Sequence, residues 1–170
     1  MRKKIAIVDG YNVIYRSPEL RRRLDISLLS AREGLIECCQ RWLSGSGTIS
    51  EFVIVFDGNS SVMPVSGSGG GYGVRVVFTA TKEDADDRIL DLVRNGGASV
   101  KYVVISSDNY VTGNARRHGA EVMSSSDFLA VPGVKSRCVR KASDKSDEIE
   151  LSPVEEREIN ESLKKEWGIE

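Results

Sequence analysis

Asp9, Asp57 and Asp108 each stand at the end of an apolar run, in "KIAIVD", "FVIVFD" and "VVISSD", and Glu83, Asp84, Asp86 and Asp87 are packed into "KEDADD". Carboxylates gathered within a few ångströms disfavour one another's ionised form, so such a set requires protons or cations. Oxygen donors with water are the ligand set of Mg2+ and Mn2+, and the chain offers no His or Cys cluster of the kind zinc selects. Magnesium takes one or two carboxylates, keeps several waters and usually shares its sphere with substrate phosphates, which points to phosphodiester or phosphoryl chemistry. Taken singly, each acid has a simpler explanation. An Asp after a strand forms a turn or caps a helix, and acids in a first helical turn are favoured by the helix dipole, most plainly Asp84 and Asp87. A metal site therefore depends on convergence.

The elements predicted around these residues supply that convergence. "KKIAIVD", "EFVIVFDG", "VRVVFTA", "SVKYVVISSD" and "AEVMS" read as five strands, the first a nearly unbroken apolar run suited to a central parallel position. Between the first two, "SPELRRRLDIS" is a polar, basic connection with one helical turn after Pro18. "LLSAREGLIECCQRWL" is an amphipathic helix capped by Ser27, with Leu28, Ala31, Leu35, Cys39 and Trp42 on one face. "KEDADDRILDLVRNGG" is a helix loaded with acids at its start and ended by Gly96 and Gly97. "NYVTGNARRHG" and "SSDFLAV" are short helices. Strands alternating with helices predict an α/β fold, a parallel sheet covered on both faces. In such a sheet all strand ends meet at one edge, where ligands bind, and Asp9, Asp57, Asp86, Asp87 and Asp108 arrive there together, with Glu83 one turn earlier. Asn12 either caps a turn or orients a ligand water.

The remaining sequence narrows the class. A chain of 170 residues is long enough for one domain that buries roughly two-thirds of its unfolded surface. No apolar stretch approaches the ~20 residues of a membrane span and the N-terminal segment lacks a signal-peptide core, so the expected location is cytoplasmic, with no membrane partner. Cys38, Cys39 and Cys138 have neither disulfide-framework nor zinc spacing and are expected to be reduced thiols. The Gly-rich stretch 66–73 satisfies neither the dinucleotide nor the P-loop pattern and reads as a lid or linker. His118, before Gly119, is explained by the last carbonyls of a helix.

Net charge of −1 conceals two unlike regions. Residues 1–135 carry 17 Lys and Arg against 15 Asp and Glu, whereas 136–170 carry 7 against 10. The first is the expected catalytic domain. The second reads as a polar arm followed by a C-terminal helix, with Ser152 as N-cap, Pro153 at the first position and Glu155 completing a capping box. Were cations to neutralise the acidic edge, the first region would become a surface for a polyanion. Arg16, Arg21, Arg22, Arg23, Lys82, Arg116 and Arg117 are candidate contacts to such a backbone, although a charge run is also the ordinary composition of a solvated face.

With these residues in place, the chain resembles the NYN family of PIN-like ribonucleases, and most closely its bacterial YacP-like branch. "IVDGYNVIY" is similar to the family's opening motif, "VIVFDG" to its second strand, "FTATKEDADDRI" to its Glu-x-Ala-Asp helix start and "VVISSDNYV" to its Ser-Asp strand end, in order over residues 4 to about 130. The resemblance implies a three-layer α/β/α fold and a Mg2+ or Mn2+ site for hydrolysis of RNA. By the same resemblance, Asp9, Asp86 and Asp108 are the core acidic ligands, Asn12, Glu83 and Asp87 support them, and Asp57 stands at the rim. Asp84 departs from the family's usual threonine, and the Gly-rich insertion is longer than usual.

The implied activity is endoribonucleolytic cleavage of single-stranded RNA, because a narrow acidic cleft needs a backbone that bends. Two rivals remain open from the sequence. One is a catalytically silent RNA-binding module within an RNA-processing or ribosome-associated assembly, with the acidic tail as docking arm. The other is a phosphatase with a nucleophilic aspartate, which ordinarily requires a second acid two residues after the first, where this chain has Tyr11.

Overall fold

The computed structural model describes residues 3–45, 48–58, 73–80 and 83–134. All lie within the first of the two units into which the chain divides, Met1–Val139. Lys82, Cys138, nearly all of the Gly-rich stretch, the polar arm and the C-terminal helix expected from the sequence fall outside the described residues.

Five strands, β1 (Lys3–Asp9), β2 (Glu51–Phe56), β3 (Val74–Phe78), β4 (Val100–Ile105) and β5 (Glu121–Met123), form one sheet in the order β3-β2-β1-β4-β5, and every pairing is parallel. The central position expected for β1 is the one it occupies. Its residues alternate between two cores, as the twofold period of a strand requires. Ala6 and Val8 face one core with Val13, Ile14, Leu35, Phe52 and Phe128, whereas Ile5 and Ile7 face the other with Ile89, Leu90, Val111 and Ala115. The helices divide accordingly. α1 (Gly10–Arg16), α2 (Pro18–Ile26), α3 (Leu28–Gly45) and α6 (Ser125–Ala130) include the residues of the first face, and α4 (Ala85–Arg94) and α5 (Asn109–Arg117) cover the second. This is the three-layer α/β/α architecture, and its strand order reverses beside β1, between β1 and β4.

The connection from β1 to β2 is more helical than the sequence suggests. Two helices occupy 10–26 in place of a turn and a polar connection, because side-chain caps satisfy their first amides. Asp9 accepts from the Asn12 N–H (3.3 Å) and Ser17 Oγ accepts from the Leu20 N–H (3.2 Å), with Pro18 in the first turn. α3 begins at the expected cap, Ser27, whose Oγ accepts from the Ser30 N–H at 3.0 Å. It runs antiparallel to β2: Arg32 lies over Phe56 at the strand's end, and Trp42 meets Phe52 near its start. The first turn of α3 therefore reaches past the carboxyl edge of the sheet. Cys38 and Cys39 are both buried on this helix, and burial pushes the Cys39 thiol far upward.

Candidate active site

β1 and β4 are adjacent strands, in register at Val8 and Ile105, and both end at the reversal of strand order. The next residues are Asp9 and Ser106. Asp9 is 8% exposed; its Oδ2 accepts from Ser106 Oγ at 3.0 Å, and Ser106 Oγ in turn accepts from the Asp108 N–H at 3.0 Å. One hydroxyl thus joins the ends of two strands and both acids. Asp108 caps α5, its Oδ1 accepting from the N–H groups of Tyr110 (2.7 Å) and Val111 (3.1 Å).

Burial raises the Asp9 carboxyl, against the hydrogen bonds from Ser106 and Asn12 and with a further push from the Asp108 charge. Asp86, in the first turn of α4, is raised to about 6, first by burial and then by the charges of Asp9, Asp108, Asp84 and Asp87. The charges of Asp9 and Asp108 thus bear on Asp86, and that of Asp108 on Asp9, across three separate elements. Asp84, weighed as a helix-start residue only, adds to this field from the N-cap of α4, where its side chain caps nothing.

Other residues singled out in the sequence have settings of their own. Glu83 faces Arg88 at 3.8 Å, and Asp57 is exposed at the end of β2 with its Oδ1 accepting from Thr79 Oγ1 at 2.8 Å. Neither is among the charges that raise Asp86. Arg16, Arg21 and Arg22 are exposed on α1 and α2, whereas Arg23 is engaged with Glu37 at 3.3 Å. Arg116 and Arg117 are exposed in the last turn of α5, about 12 Å along the helix axis from Asp108. His118 accepts from Arg94 Nε at 3.1 Å at that same end, in keeping with a structural role.

Asn12 is a latch. Its Oδ1 accepts from the Ser107 N–H (2.9 Å) and from Ser125 Oγ (2.8 Å), tying α1 to the β4–α5 connection and to the start of α6. The Asn12→Ala variant leaves both donors without their acceptor, which costs about 2 kcal/mol and lowers the melting temperature by about 6 °C in thermal denaturation, while Asn12→Asp, which keeps an acceptor oxygen at that place, avoids most of the loss.

Sequence reasoning overlooked the groups that hold the acids in place. Ser106 carried a signal, being one of two serines immediately before Asp108. Arg32 carried none. It is 4% exposed, its guanidinium lies 5.0–5.7 Å from the ring centroids of Tyr11, Phe56 and Phe78, and it donates to the Tyr11 hydroxyl. Among the described residues its Nε has no partner. Tyr11, whose ring also packs on Phe56 at 5.1 Å, is thereby accounted for as part of an aromatic box beside the acidic edge.

The donor set is hard oxygen throughout and suits Mg2+ or Mn2+. Among the described residues no three His, Cys, Asp or Glu side chains stand together as a ready metal cage.

A doubly wound parallel sheet with its acids at the carboxyl edge defines a PIN-like fold, and residues 6–168 match the YacP-like NYN domain. The chain belongs to that family, a ribonuclease family whose substrate class is RNA. Among solved structures it is similar to Rae1 (YacP) from Bacillus subtilis: 25% identity over 96% of this chain and 92% of that one, TM-score 0.58. A tryptophan-to-leucine variant of the same protein matches with 28% identity over 74% and 72% of the two chains, TM-score 0.60. No curated protein matches. Among the described residues, no helix is long and apolar enough to cross a membrane.

Proposed function

We propose that the protein is a metal-dependent endoribonuclease that hydrolyses phosphodiester bonds in single-stranded RNA of the cytoplasm. The observation that carries this reading is that the charges of Asp9 and Asp108 bear on Asp86, and that of Asp108 on Asp9, acids from three elements near the reversal of strand order in a ribonuclease-family fold. Asp9, Asp86 and Asp108 would hold Mg2+ or Mn2+, with Asp87 beside them. When bound, the ion supplies an activated water for in-line attack and charge for the leaving oxygen, so that products carry a 5′-phosphate.

The chain's own residues set the geometry. Ser106 orients Asp9, Asn12 holds the connections around it together, and Gly10 packs close under the aromatic box. A nucleophilic-aspartate phosphatase fits poorly, since Tyr11 occupies the place of its second acid and bonds to Arg32. Association with ribosomes would bear on which RNA is cut rather than on this chemistry.

The test is incubation of end-labelled single-stranded RNA with Mn2+, with EDTA, and with Mn2+ restored after EDTA. Cleavage lost and regained supports the reading; cleavage indifferent to EDTA defeats it. RNA retained but never cut favours the silent binding module.

Acid titration gives an independent check. The Asp86 carboxyl is raised in the fold to about 6 from an ordinary 3.8, so its contribution to stability is fully present below that ordinary value and is lost as pH rises through about 6. Repulsion in the metal-free site is therefore greater at pH 7.5 than at pH 5.5. Mn2+ should raise the melting temperature by several degrees at pH 7.5 and distinctly less at pH 5.5, where protons compete for the same oxygens.

A further inference from the structure

Four large apolar side chains are exposed among the described residues: Tyr15, Ile26, Leu28 and Tyr110. Ile26 and Leu28 flank the tight corner between α2 and α3. The two aromatic ones have a different setting. Tyr110 is 59% exposed in the first turn of α5, and its N–H donates to Asp108 Oδ1 at 2.7 Å. Tyr15, also 59% exposed, lies on α1, which begins directly after Asp9, and its ring is 6.4 Å from that of Tyr11. α1 packs on one face of the sheet and α5 on the other. The helices that follow Asp9 and Asp108 thus each carry an exposed phenol ring, one on each face of the sheet.

We propose that Tyr15 and Tyr110 are stacking platforms for unpaired nucleobases on the two sides of the phosphodiester presented to Asp9, Asp86 and Asp108. The proposal rests on the ribonuclease reading and deepens it by assigning how the substrate is held. Every base has a π-face, so stacking on tyrosine is tolerant of sequence, and it requires bases that are not already paired. The rings therefore select single strands over duplexes without specifying a motif. Arg16, exposed next to Tyr15, is placed to meet the phosphate that follows a stacked base. A strand running from α1 over the edge to α5 would bring its backbone to the acids between two held bases. This placement also separates the platforms from Arg116 and Arg117 at the far end of α5.

The experiment measures binding of a fluorescent single-stranded oligoribonucleotide by anisotropy, in full-length protein carrying Asp9→Asn so that the RNA stays intact. Tyr110→Ala and Tyr15→Ala should each weaken binding by about tenfold, whereas Tyr110→Phe and Tyr15→Phe should stay within about twofold of the parent. Abasic substitution at the nucleotide that stacks should weaken the parent equally and erase its difference from the Ala variant. Both side chains are exposed, so melting temperatures should not move. Ala variants that bind like the parent overturn the inference and leave the ribonuclease reading standing, and Phe variants as weak as Ala overturn it in favour of a hydroxyl contact. If the protein with Asp9 intact neither binds nor cuts RNA, the ribonuclease reading falls and the inference with it.

Discussion

Asp9→Asn is expected to reduce RNA cleavage by at least about a hundredfold while leaving the fold as stable as before or slightly more so. The two halves of this expectation have one cause. Asp9 is a buried carboxylate whose ionised form is disfavoured by desolvation and by Asp108. An amide of the same shape retains an oxygen for the Asn12 N–H and turns its NH2 toward Ser106 Oγ, which has a second lone pair to offer. Removing the charge relieves repulsion on Asp86, so the metal-free variant should melt no lower than the parent at pH 7.5. It also removes the anionic ligand, so the rise in melting temperature on adding Mn2+ should shrink. Cleavage assays with matched melting curves check both. A variant that cuts RNA like the parent would exclude Asp9 from the chemistry, and one that unfolds would reassign it to structure.

Gly10→Ala should destabilise the protein by about 2–3 kcal/mol and lower the melting temperature by roughly 8 °C. Helix propensity alone argues the opposite, since Ala is favoured over Gly by about 1 kcal/mol inside a helix. Sterics decide the sign. A Cβ on Gly10 would run into the Phe56 ring and come within 2.9 Å of the Val55 carbonyl oxygen. The ring has little freedom to withdraw, being stacked on Phe78 at 5.8 Å, packed on Tyr11 and covered by Arg32. Trimming the ring in the double variant Gly10→Ala, Phe56→Leu should recover part of the loss, so that the two changes cost less together than their separate effects summed. Denaturant or thermal unfolding of the four proteins measures this coupling, and full additivity would show that the clash is absorbed elsewhere.

The sheet was legible because its strands are largely apolar runs and three of them, β1, β2 and β4, are marked a second time by an acid at or just past the carboxyl end. From there the meeting of Asp9, Asp86 and Asp108 follows from topology alone. What escaped was local. "SPEL" holds the same Ser-Pro helix start that was credited at Ser152 and Pro153, yet the helix from Pro18 to Ile26 shows so few apolar residues that it reads as a connection. Asp9 and Asn12 are turn formers by type, and the same chemistry that makes a turn also caps α1. Asn12's partners, Ser107 and Ser125, are far along the chain, and Arg32 resembles any solvent-facing charge until three rings from separate segments close over it.

The register of β1 and β4 has a consequence for which ions and substitutions the edge tolerates. Asp9 and Ser106 extend adjacent strands past the Val8–Ile105 pair, and Ser106 is pinned from its other side by its N–H to the Met123 carbonyl. The gap their side chains bridge is the interstrand spacing, about 4.8 Å in any parallel sheet. Peptide geometry is here a ruler: the width of the acidic edge is set by hydrogen-bonded backbone, which no repacking of side chains alters. A glutamate at position 9, one methylene longer, would overshoot a mark that neither strand can move.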